Sequence, residues 1–268
     1  MGFKSYVYIT HEGNHMEEHT RGKQTEDYYQ IESDKYDKKR FVSPIGQYID
    51  DIEKLMVLKN LKPGNVLELC CGTGRFATFL CKKGHPYSGV DFTKNMLDQA
   101  KEKNKDCKEL TFKLLDVKDL GKELPHNSFD NIFVARAIKF WQTPQQVIDD
   151  SYKLLKEEGR IVLCFQGKDR SLSGILMNLN QKTQDKHIFL RSHKVGTEKY
   201  YDSKEIIKMM KESGFKIVSK HSYFNFAAYT WFMQKFGRIP QKILARFFRI
   251  FDNHFNYGWR TVIVGVKK

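Results

Sequence analysis

The stretch Val66-Leu67-Glu68-Leu69-Cys70-Cys71-Gly72-Thr73-Gly74-Arg75 decides the fold of this 268-residue chain. Its first part, from Val66 to Cys70, is typical of a buried strand, and two closely spaced glycines follow. Glycines at such a position let the backbone approach a ligand closely, because no Cβ stands in the way. One carboxylate, Glu68, lies inside the apolar run. The stretch therefore predicts a strand that ends at a ligand-binding loop, with an acidic side chain just before that loop.

Strand-like and helix-like segments alternate after this stretch. The predicted strands are Val66–Cys70, Tyr87–Asp91, Thr111–Leu115, Asn131–Ala135, Arg160–Phe165, Phe215–Ser219 and Thr261–Val266. Four predicted helices are Gln24–Arg40, Phe76–Lys83, Lys94–Lys103 and Gln145–Leu155. Another begins at Pro44. The last begins at a capping-box pattern formed by Asp202 and Glu205 and ends near Gly214. This order predicts an α/β fold of the doubly wound, Rossmann-like type, with helices on both faces of a mostly parallel sheet.

Ligands of such sheets bind beyond the carboxyl ends of the strands, where the strand order reverses. The predicted strand ends place Gly72–Gly74, Asp91, Asp116 and Ala135-Arg136 around one crevice. The glycine loop alone fits a dinucleotide as well, with Asp91 on a ribose. A dinucleotide brings an anionic pyrophosphate to the loop, whereas S-adenosylmethionine brings an ammonium and a sulfonium and no phosphate. A carboxylate at Glu68 would oppose the first and attract the second, so it favours S-adenosylmethionine.

Other residues at the strand ends agree with S-adenosylmethionine. Asp91 can accept hydrogen bonds from both ribose hydroxyls, and Phe92 and Met96 can cover the adenine. Asp116 can accept the adenine amino proton, and the backbone amide of Val117 can donate to the ring. Each residue also has a structural alternative: the two aspartates could cap the elements that follow them, and Phe92 and Met96 could belong to the core.

The resemblance to a known family rests on four segments. They are Val66–Gly74, Gly89–Leu97, Leu124-Pro125 with Ser128-Phe129-Asp130, and Leu154–Leu163. They resemble the successive motifs of class I S-adenosylmethionine-dependent methyltransferases, and most of all the group that includes the ubiquinone and menaquinone biosynthesis methyltransferases. The resemblance spans about Tyr28 to Lys220 with the closing strand. It is specific for the superfamily and not for the substrate.

The resemblance implies a seven-stranded sheet with an antiparallel last strand, here Thr261–Val266, S-adenosyl-L-methionine as cofactor and S-adenosyl-L-homocysteine as product. It also implies an N-terminal lid over the cofactor, which by position suggests Tyr28, Tyr36 and Arg40, with core packing as the alternative for the tyrosines. Cofactor contacts are expected from Glu68, Cys70, Gly72, Thr73, Gly74 and Ala135 as well. Two residues depart from the family pattern: Cys70 replaces a glycine, and Glu68 replaces an aspartate. A side chain at Cys70 narrows the space beside the cofactor, but it can fit if the backbone keeps an ordinary conformation.

The composition excludes several classes of protein. Apolar residues make up 40% and charged residues 29%, and no uncharged apolar run reaches the ~20 residues of a spanning helix. The N-terminal sequence has no signal-peptide pattern, so a cytoplasmic protein is expected. The five cysteines lack metal-ligand spacing, which predicts buried reduced thiols and no metal site. The net charge is +14, and residues 161–268 hold 20 Lys+Arg against 7 Asp+Glu.

The sequence divides into segments with different expected roles. Residues 1–23 are predicted to be a flexible tail and residues 24–268 a single methyltransferase domain. That domain comprises N-terminal helices or a lid at 24–60, a cofactor-binding core at 61–165, a variable substrate-side segment at 166–202 and a basic aromatic insertion at 223–258. The insertion has a helical pattern with Phe and Ile on one face and Lys and Arg leading away. It could cover the crevice, contact a membrane surface transiently or pack on the sheet edge.

The acceptor is the least determined part of the prediction. If the insertion covers the crevice, the acceptor is a small hydrophobic or aromatic molecule, with an anionic group as an open alternative. Arg136 is the candidate for orienting an anionic acceptor or the cofactor carboxylate, although a structural ion pair is as plausible. No general base is identified. The alternatives are an RNA or protein methyltransferase that docks through the basic half, which the absence of an RNA-binding module disfavours, and a non-catalytic regulator that binds the cofactor. The oligomeric state is not predicted.

Overall fold

A seven-stranded sheet forms the centre of the protein. The computed structural model describes residues 14–42, 44–167, 199–223 and 260–268. The strands are β1 (Val66–Leu69), β2 (Tyr87–Asp91), β3 (Leu110–Leu114), β4 (Phe129–Ala135), β5 (Leu155–Gln166), β6 (Lys216–Tyr223) and β7 (Arg260–Val266). Their order is β3-β2-β1-β4-β5-β7-β6, and β7 runs antiparallel to β5 and β6. The predicted fold class, including the antiparallel last strand, is confirmed.

Helices connect the strands and cover both faces of the sheet. They are α1 (Asn14–Phe41), α2 (Pro44–Asn60), α3 (Ala77–Cys81), α4 (Lys94–Lys103), α5 (Leu120–Glu123), α6 (Pro144–Leu154) and α7 (Ser203–Glu212). The predicted capping box opens α7: Asp202 accepts from the Glu205 backbone N–H, and the Glu205 side chain accepts from the Asp202 N–H, both at 2.8 Å.

The core is divided by the sheet into two apolar clusters. Leu67 and Leu69 belong to one, whereas Val66 belongs to the other with Phe76 and Phe133. Both faces are buried because helices cover each of them, which explains the continuous apolar run of β1. Since side chains alternate along a strand, Glu68 lies on the same face as Val66.

The N-terminal helix is longer than the sequence predicted. It begins at Asn14, within the segment 1–23 that the sequence assigns to a tail. Polar pairs fix the described part of this helix to α4: the Gln30 backbone carbonyl accepts from Asn95 at 3.1 Å, and Asp34 accepts from Gln99 at 3.1 Å. These contacts join residues far apart in the chain, and an apolar-periodicity argument does not detect polar pairs.

A disulfide joins Cys81 to Cys107, so the prediction that all cysteines are reduced is wrong for these two. Cys81 ends α3 and Cys107 follows α4, and neither side chain is fully buried. The fold brings the ends of the two helices together, which spacing along the sequence does not reveal. Cys70, Cys71 and Cys164 are free thiols.

Several sequence predictions lie outside the described residues. They concern residues 1–13, most of the variable segment 166–202 and nearly all of the insertion 223–258. Among the described residues, no helix is both long and apolar enough to cross a membrane.

Candidate functional site

A cavity of about 480 Å³ opens at the carboxyl ends of the central strands. This volume is typical of sites for small ligands. Most of the predicted site residues line it: Tyr36, Cys70, Gly72, Asp91, Phe92, Met96, Asp116, Val117, Ala135 and Arg136. The expected juxtaposition of strand ends is therefore present, with β1, β2 and β4 each contributing the residues that follow or end them.

The glycine loop reaches the cavity through one of its two glycines. Gly72 has φ +55°, and a Cβ built there would meet no atom within 4 Å. Gly74 has φ +67°, but a Cβ there would lie 2.9 Å from the Cβ of Ala100 on α4. Thr73 donates its hydroxyl proton to Asp37 of α1 at 2.8 Å. Gly72 therefore leaves room for a ligand, while Gly74 and Thr73 are outside the cavity lining and hold the loop against the two helices.

Cys70 does not have the ordinary backbone conformation under which its side chain was expected to fit beside the cofactor. Its φ of +56° lies in the left-handed region, where side-chain-bearing residues are strained. The residue lines the cavity, and burial raises the pKa of its thiol well above the usual range. The condition of an ordinary backbone conformation is therefore not met, because the turn from β1 into the loop has a left-handed geometry that favours glycine.

Glu68 does not line the cavity, contrary to its predicted cofactor contact. The alternation along β1 turns its side chain to the face that α2 and α3 cover, where it is 2% exposed and accepts from the Tyr87 hydroxyl at 2.5 Å. Burial raises the pKa of Glu68 from its ordinary 4.5 to about 8, so the carboxyl is largely protonated near pH 7. The argument that Glu68 attracts a cationic ligand by its charge is therefore not supported by the structure.

Asp91 is positioned by backbone donors at the end of β2. Its Oδ2 accepts from the Gly72 N–H at 2.8 Å, and its Oδ1 accepts from the Thr93 N–H at 2.9 Å. Burial raises its pKa, and these hydrogen bonds oppose the rise. A carboxylate has about four acceptor positions, so two remain for ligand hydroxyls.

Asp116 also has the structural role that the sequence left open. It caps the short 3₁₀ helix Val117–Asp119 by accepting from the Lys118 N–H at 3.1 Å. Its Oδ2 lies 3.1 Å from Nζ of Lys118, and both side chains are partly exposed. Because Val117 lines the cavity beside Asp116, the Asp116 carboxylate and the Val117 N–H could offer one acceptor and one donor to a planar ring.

Aromatic side chains of α1 cover part of the cavity. Tyr29 and Tyr36 line it, with ring centroids 5.9 Å apart, and Tyr29 meets Phe140 edge to face at 5.8 Å. Arg40 also lines the cavity, and its guanidinium lies 4.4 Å from the centroid of Tyr36. Of the suggested lid residues, Tyr28 is not part of the lining. Sequence reasoning missed Tyr29. It is adjacent to Tyr28, and only the rotation of the helix decides which of the two side chains faces the cavity.

A buried glutamate of α2 organises the arginines beside the cavity. Glu53 is 0% exposed and accepts from Arg136 at 2.5 to 2.9 Å and from Arg75 at 2.6 Å, and Arg260 Nε lies 3.4 Å from its Oε1. Burial alone would raise the pKa of Glu53, but Arg136, Arg75 and Arg260 hold it well below the usual range. One sign of this cluster is visible in the sequence: Glu53 follows Ile49 by four positions on the apolar face of α2.

Three cavity residues beyond the glycine loop were not among the predicted site residues. Trp141 follows β4, Gln166 ends β5 and Arg260 begins β7. The register of the antiparallel pair sets Gln166 opposite Arg260. These residues come together only through the order of the strands, which residue spacing does not reveal.

Comparison with known proteins agrees with this geometry. Residues 67–163 match the methyltransferase domain family. An uncharacterized protein of Methanocaldococcus jannaschii is 28% identical over 171 residues, which cover 63% of this chain and 72% of that protein. The demethylmenaquinone methyltransferase of Listeria welshimeri is 26% identical over 147 residues, which cover 53% of this chain and only 61% of the relative.

The fold has solved counterparts. The structure of a SAM-dependent methyltransferase from Thermotoga maritima superposes with a TM-score of 0.61 at 17% identity, and the match covers 91% of this chain and all of that one. At this identity the likeness concerns the fold. Together with the family match over the core and the strand-end site, it confirms the resemblance read from the motifs. Residues 67–163 form a domain of the methyltransferase domain family, and the chain is similar to class I S-adenosylmethionine-dependent methyltransferases, the menaquinone methyltransferase group among them.

Proposed function

We propose that the protein transfers the methyl group of S-adenosylmethionine to a carbon, oxygen or nitrogen atom of a small hydrophobic or aromatic acceptor. The observation that carries the proposal is that one cavity of about 480 Å³ is lined both by residues predicted to hold the cofactor, at the ends of β1 to β3, and by an aromatic cover. Relatives of this chain named as demethylmenaquinone methyltransferases support an aromatic acceptor of the quinone class.

The residues at the ends of β1 and β2 fit the cofactor. Gly72 leaves open space where any other residue would place a Cβ, and Asp91 keeps two acceptor positions beside it. Phe92 and Met96 provide apolar cover next to Asp91, and Asp116 and Val117 offer an acceptor and a donor for an adenine edge.

The chain contributes mainly positioning. S-adenosylmethionine supplies an activated methyl group and becomes S-adenosylhomocysteine. Methyl displacement needs the acceptor atom in line with the methyl in a site without water, and such alignment can supply about 7–11 kcal/mol of the barrier. Tyr29, Tyr36 and Phe140 exclude water from one side of the cavity, and Trp141 provides apolar surface on the wall that follows β4.

Calorimetry with S-adenosylmethionine and S-adenosylhomocysteine tests the cofactor part. We expect saturable binding to the wild-type protein and at least tenfold weaker binding to Asp91→Asn, because an amide replaces one carboxylate acceptor with a donor. Asp98→Asn is the matched control, since Asp98 is an exposed carboxylate of α4 paired with Lys94 and lies outside the cavity lining. No saturable binding by folded wild-type protein contradicts the proposal.

Transfer of a radiolabelled methyl group tests the acceptor part. The panel contains a 2-demethyl naphthoquinol, other small aromatic hydroxy compounds and mixed RNA. Label in an aromatic product supports the proposal, and label in RNA alone assigns a different acceptor class. Cofactor binding without transfer to any member of the panel favours the non-catalytic alternative.

A further inference from the structure

Trp141 brings a buried hydrogen-bond donor to the cavity lining. It follows the 3₁₀ turn Ile138–Phe140 after β4, lines the cavity and is 6% exposed. Its Nε1 is shielded from water and has no hydrogen-bond partner among the described residues. An indole nitrogen can only donate, so its role does not depend on a protonation state or on the assignment of an amide.

A buried N–H without an acceptor is unfavourable, because it has lost its hydrogen bonds to water and has gained none within the protein. Native proteins leave few buried polar groups unpaired, and each such group calls for an explanation. A phenylalanine at position 141 would supply apolar surface without that cost. The indole N–H therefore points to an acceptor atom on a molecule that occupies the cavity.

The indole lies at the side of the cavity where the loop after β1 begins. Burial raises the pKa of the Cys70 thiol, Asp91 raises it further, and the indole N–H of Trp141 opposes the rise, which places the indole beside the thiol. A thiol sulfur is a weak acceptor, and the contact lacks the geometry of a hydrogen bond. An oxygen atom of a ligand would be the better acceptor for this donor.

The charges near this donor favour an uncharged oxygen. Asp91 and Asp116 both raise the pKa of the Cys70 thiol, so they make the electrostatic potential at this point more negative. Lys118 offsets part of the charge of Asp116, since its Nζ lies 3.1 Å from Oδ2 of that residue. A further negative charge would be repelled by Asp91, whereas a hydroxyl or carbonyl oxygen can accept from the indole N–H without that cost.

Trp141 is also next to the aromatic cover of the cavity. Its neighbour Phe140 meets Tyr29 edge to face at 5.8 Å, and the rings of Tyr29 and Tyr36 are 5.9 Å apart. A flat ring beneath this cover would have apolar surface around it and one donor for a substituent. The positions expected to hold the ribose and adenine, at the ends of β2 and β3, do not need that donor.

We propose that the indole N–H of Trp141 donates a hydrogen bond to an uncharged oxygen of the methyl acceptor, a ring hydroxyl or a ring carbonyl. The inference rests on the proposed function, because it assigns Trp141 to the acceptor and the ends of β1 to β3 to the cofactor. It narrows the acceptor to an oxygen-bearing aromatic molecule without a charge at that oxygen, and it makes Trp141 a specificity-determining residue.

Three probes test the oxygen and its charge: 2-naphthol, 2-methylnaphthalene and 2-naphthoate. Their dissociation constants are measured by calorimetry on the full chain, once alone and once with saturating S-adenosylhomocysteine. We expect 2-naphthol to bind at least about fivefold more tightly than either of the others with S-adenosylhomocysteine present. The methyl compound is the more hydrophobic of the two neutral probes, so a preference for 2-naphthol measures the polar contact. A smaller preference over either probe overturns the inference.

Variants then assign the preference to the indole. Trp141→Phe keeps an aromatic ring and removes the N–H, so it should abolish the preference for 2-naphthol over 2-methylnaphthalene and leave the affinity for S-adenosylhomocysteine within about twofold. Phe140→Leu is the matched control. It removes aromatic surface beside Trp141 but no polar atom, and it should weaken the binding of both neutral probes by the same factor. Circular dichroism checks that each variant is folded.

Nuclear magnetic resonance of the indole N–H gives a readout that a purely structural role of Trp141 would not move, and it uses the wild-type protein. The chain has three tryptophans, so the signal of Trp141 is assigned by elimination with Trp231→Phe and Trp259→Phe. We expect 2-naphthol to move the indole proton signal of Trp141 downfield, and 2-methylnaphthalene to leave it in place. The same response to both probes overturns the inference, even where Trp141→Phe does not fold.

The outcomes separate this inference from the proposed function. No binding of any probe by protein that binds S-adenosylhomocysteine overturns the inference and leaves the methyltransferase proposal intact. A loss of S-adenosylhomocysteine affinity in Trp141→Phe without loss of the preference for 2-naphthol also overturns it, because the indole would then serve the cofactor. Failure of S-adenosylhomocysteine to bind contradicts the proposed function, while the preference among the probes alone still decides the inference.

Discussion

Asp91 and Gly72 are joined by a hydrogen bond of 2.8 Å from the Gly72 N–H to Asp91 Oδ2, which links the end of β2 to the loop that follows β1. The bond fixes the loop backbone at the cavity edge and uses one acceptor position of the carboxylate. Because Gly72 has φ +55° and open space beside its Cα, the loop presents bare backbone to the ligand. The two glycines of the loop therefore have separable roles.

Gly72→Ala and Gly74→Ala should affect different properties. Both place a side chain in the left-handed region, at a cost of about 1–2 kcal/mol. Gly74→Ala also forces its Cβ to 2.9 Å from Ala100, which adds about 1–3 kcal/mol of overpacking. Gly72→Ala meets no protein atom within 4 Å, but its methyl group enters the ligand space. Urea unfolding and S-adenosylhomocysteine titration measure the two effects.

We expect the free energy of unfolding to fall more in Gly74→Ala, and the affinity of the folded protein to fall more in Gly72→Ala, by tenfold or more. Equal stability of the two variants would show that α4 yields to the added methyl group.

Tyr29 and Tyr28 provide a matched pair for the cover of the cavity. Tyr29 lines the cavity and contacts Phe140, whereas its neighbour Tyr28 does not line it. Removal of Tyr29 opens the site to water and deletes an aromatic contact of about 0.5–1.5 kcal/mol. Tyr29→Ala should therefore weaken S-adenosylhomocysteine binding about tenfold, and Tyr28→Ala less than about twofold, as measured by calorimetry. Similar losses in both variants would indicate a general effect on α1.

The sequence predicted which residues lie at the strand ends better than it predicted the direction of single side chains. Strands β1, β2 and β4 and the second half of β5 are mostly buried, so their positions followed from the pattern, and the cavity at their ends followed from the rule for ligand sites of such sheets. The side-chain contacts of Glu68 did not follow, because a continuous apolar run buried on both faces does not show which face each residue occupies. The protonation of Glu68 depends on its burial, and no local sequence pattern indicates that burial.

Contacts that join distant segments were the main omission. Glu53 on α2 meets Arg136 after β4 and Arg260 on β7, and these partners are 83 and 207 positions away. No sequence periodicity relates these residues, because each one fits only the pattern of its own helix or strand. The single clue was a glutamate on an apolar helix face, which needs a buried cation somewhere in the fold.

Cys70→Gly should leave stability nearly unchanged, although the residue touches the core. The wild-type backbone has φ +56°, and glycine removes a strain of about 1–2 kcal/mol that offsets the lost packing of a partly buried thiol. Cys71→Gly is the comparison, because Cys71 is 4% exposed and its φ is not positive. We expect that variant to lose about 2 kcal/mol or more in urea unfolding. A larger loss in Cys70→Gly than in Cys71→Gly would contradict the strain argument.

The disulfide between Cys81 and Cys107 predicts the number of reactive thiols. Iodoacetamide added to unfolded, unreduced protein should modify three cysteines, and reduction beforehand should raise the number to five. Closure of a loop between residues 26 positions apart stabilises the folded state by about 3 kcal/mol in the chain-entropy view. Reduction, or the double change of Cys81 and Cys107 to serine, should lower Tm accordingly. Five reactive thiols without reduction would show that the bond does not form in solution.

The buried carboxylate of Glu53 should make stability fall in acid. Its pKa is held below the ordinary value of 4.5 in the folded protein by Arg136, Arg75 and Arg260, so the unfolded chain takes up a proton first as pH falls. The stabilisation is therefore complete above about pH 4.5 and is lost progressively below it. Glu53→Gln removes the anion that the three arginines share and should cost about 3–5 kcal/mol at pH 7, while flattening the acid limb of the stability profile.

Urea unfolding between pH 3 and pH 7 measures both effects. Glu102→Gln is the control, because Glu102 is an exposed glutamate whose pairing with Lys105 is worth at most about 1 kcal/mol. If Glu53→Gln and the wild type lose stability in parallel below pH 4.5, other carboxylates carry the acid response. The positions of Arg75, Arg136 and Arg260 would then not depend on the charge of Glu53.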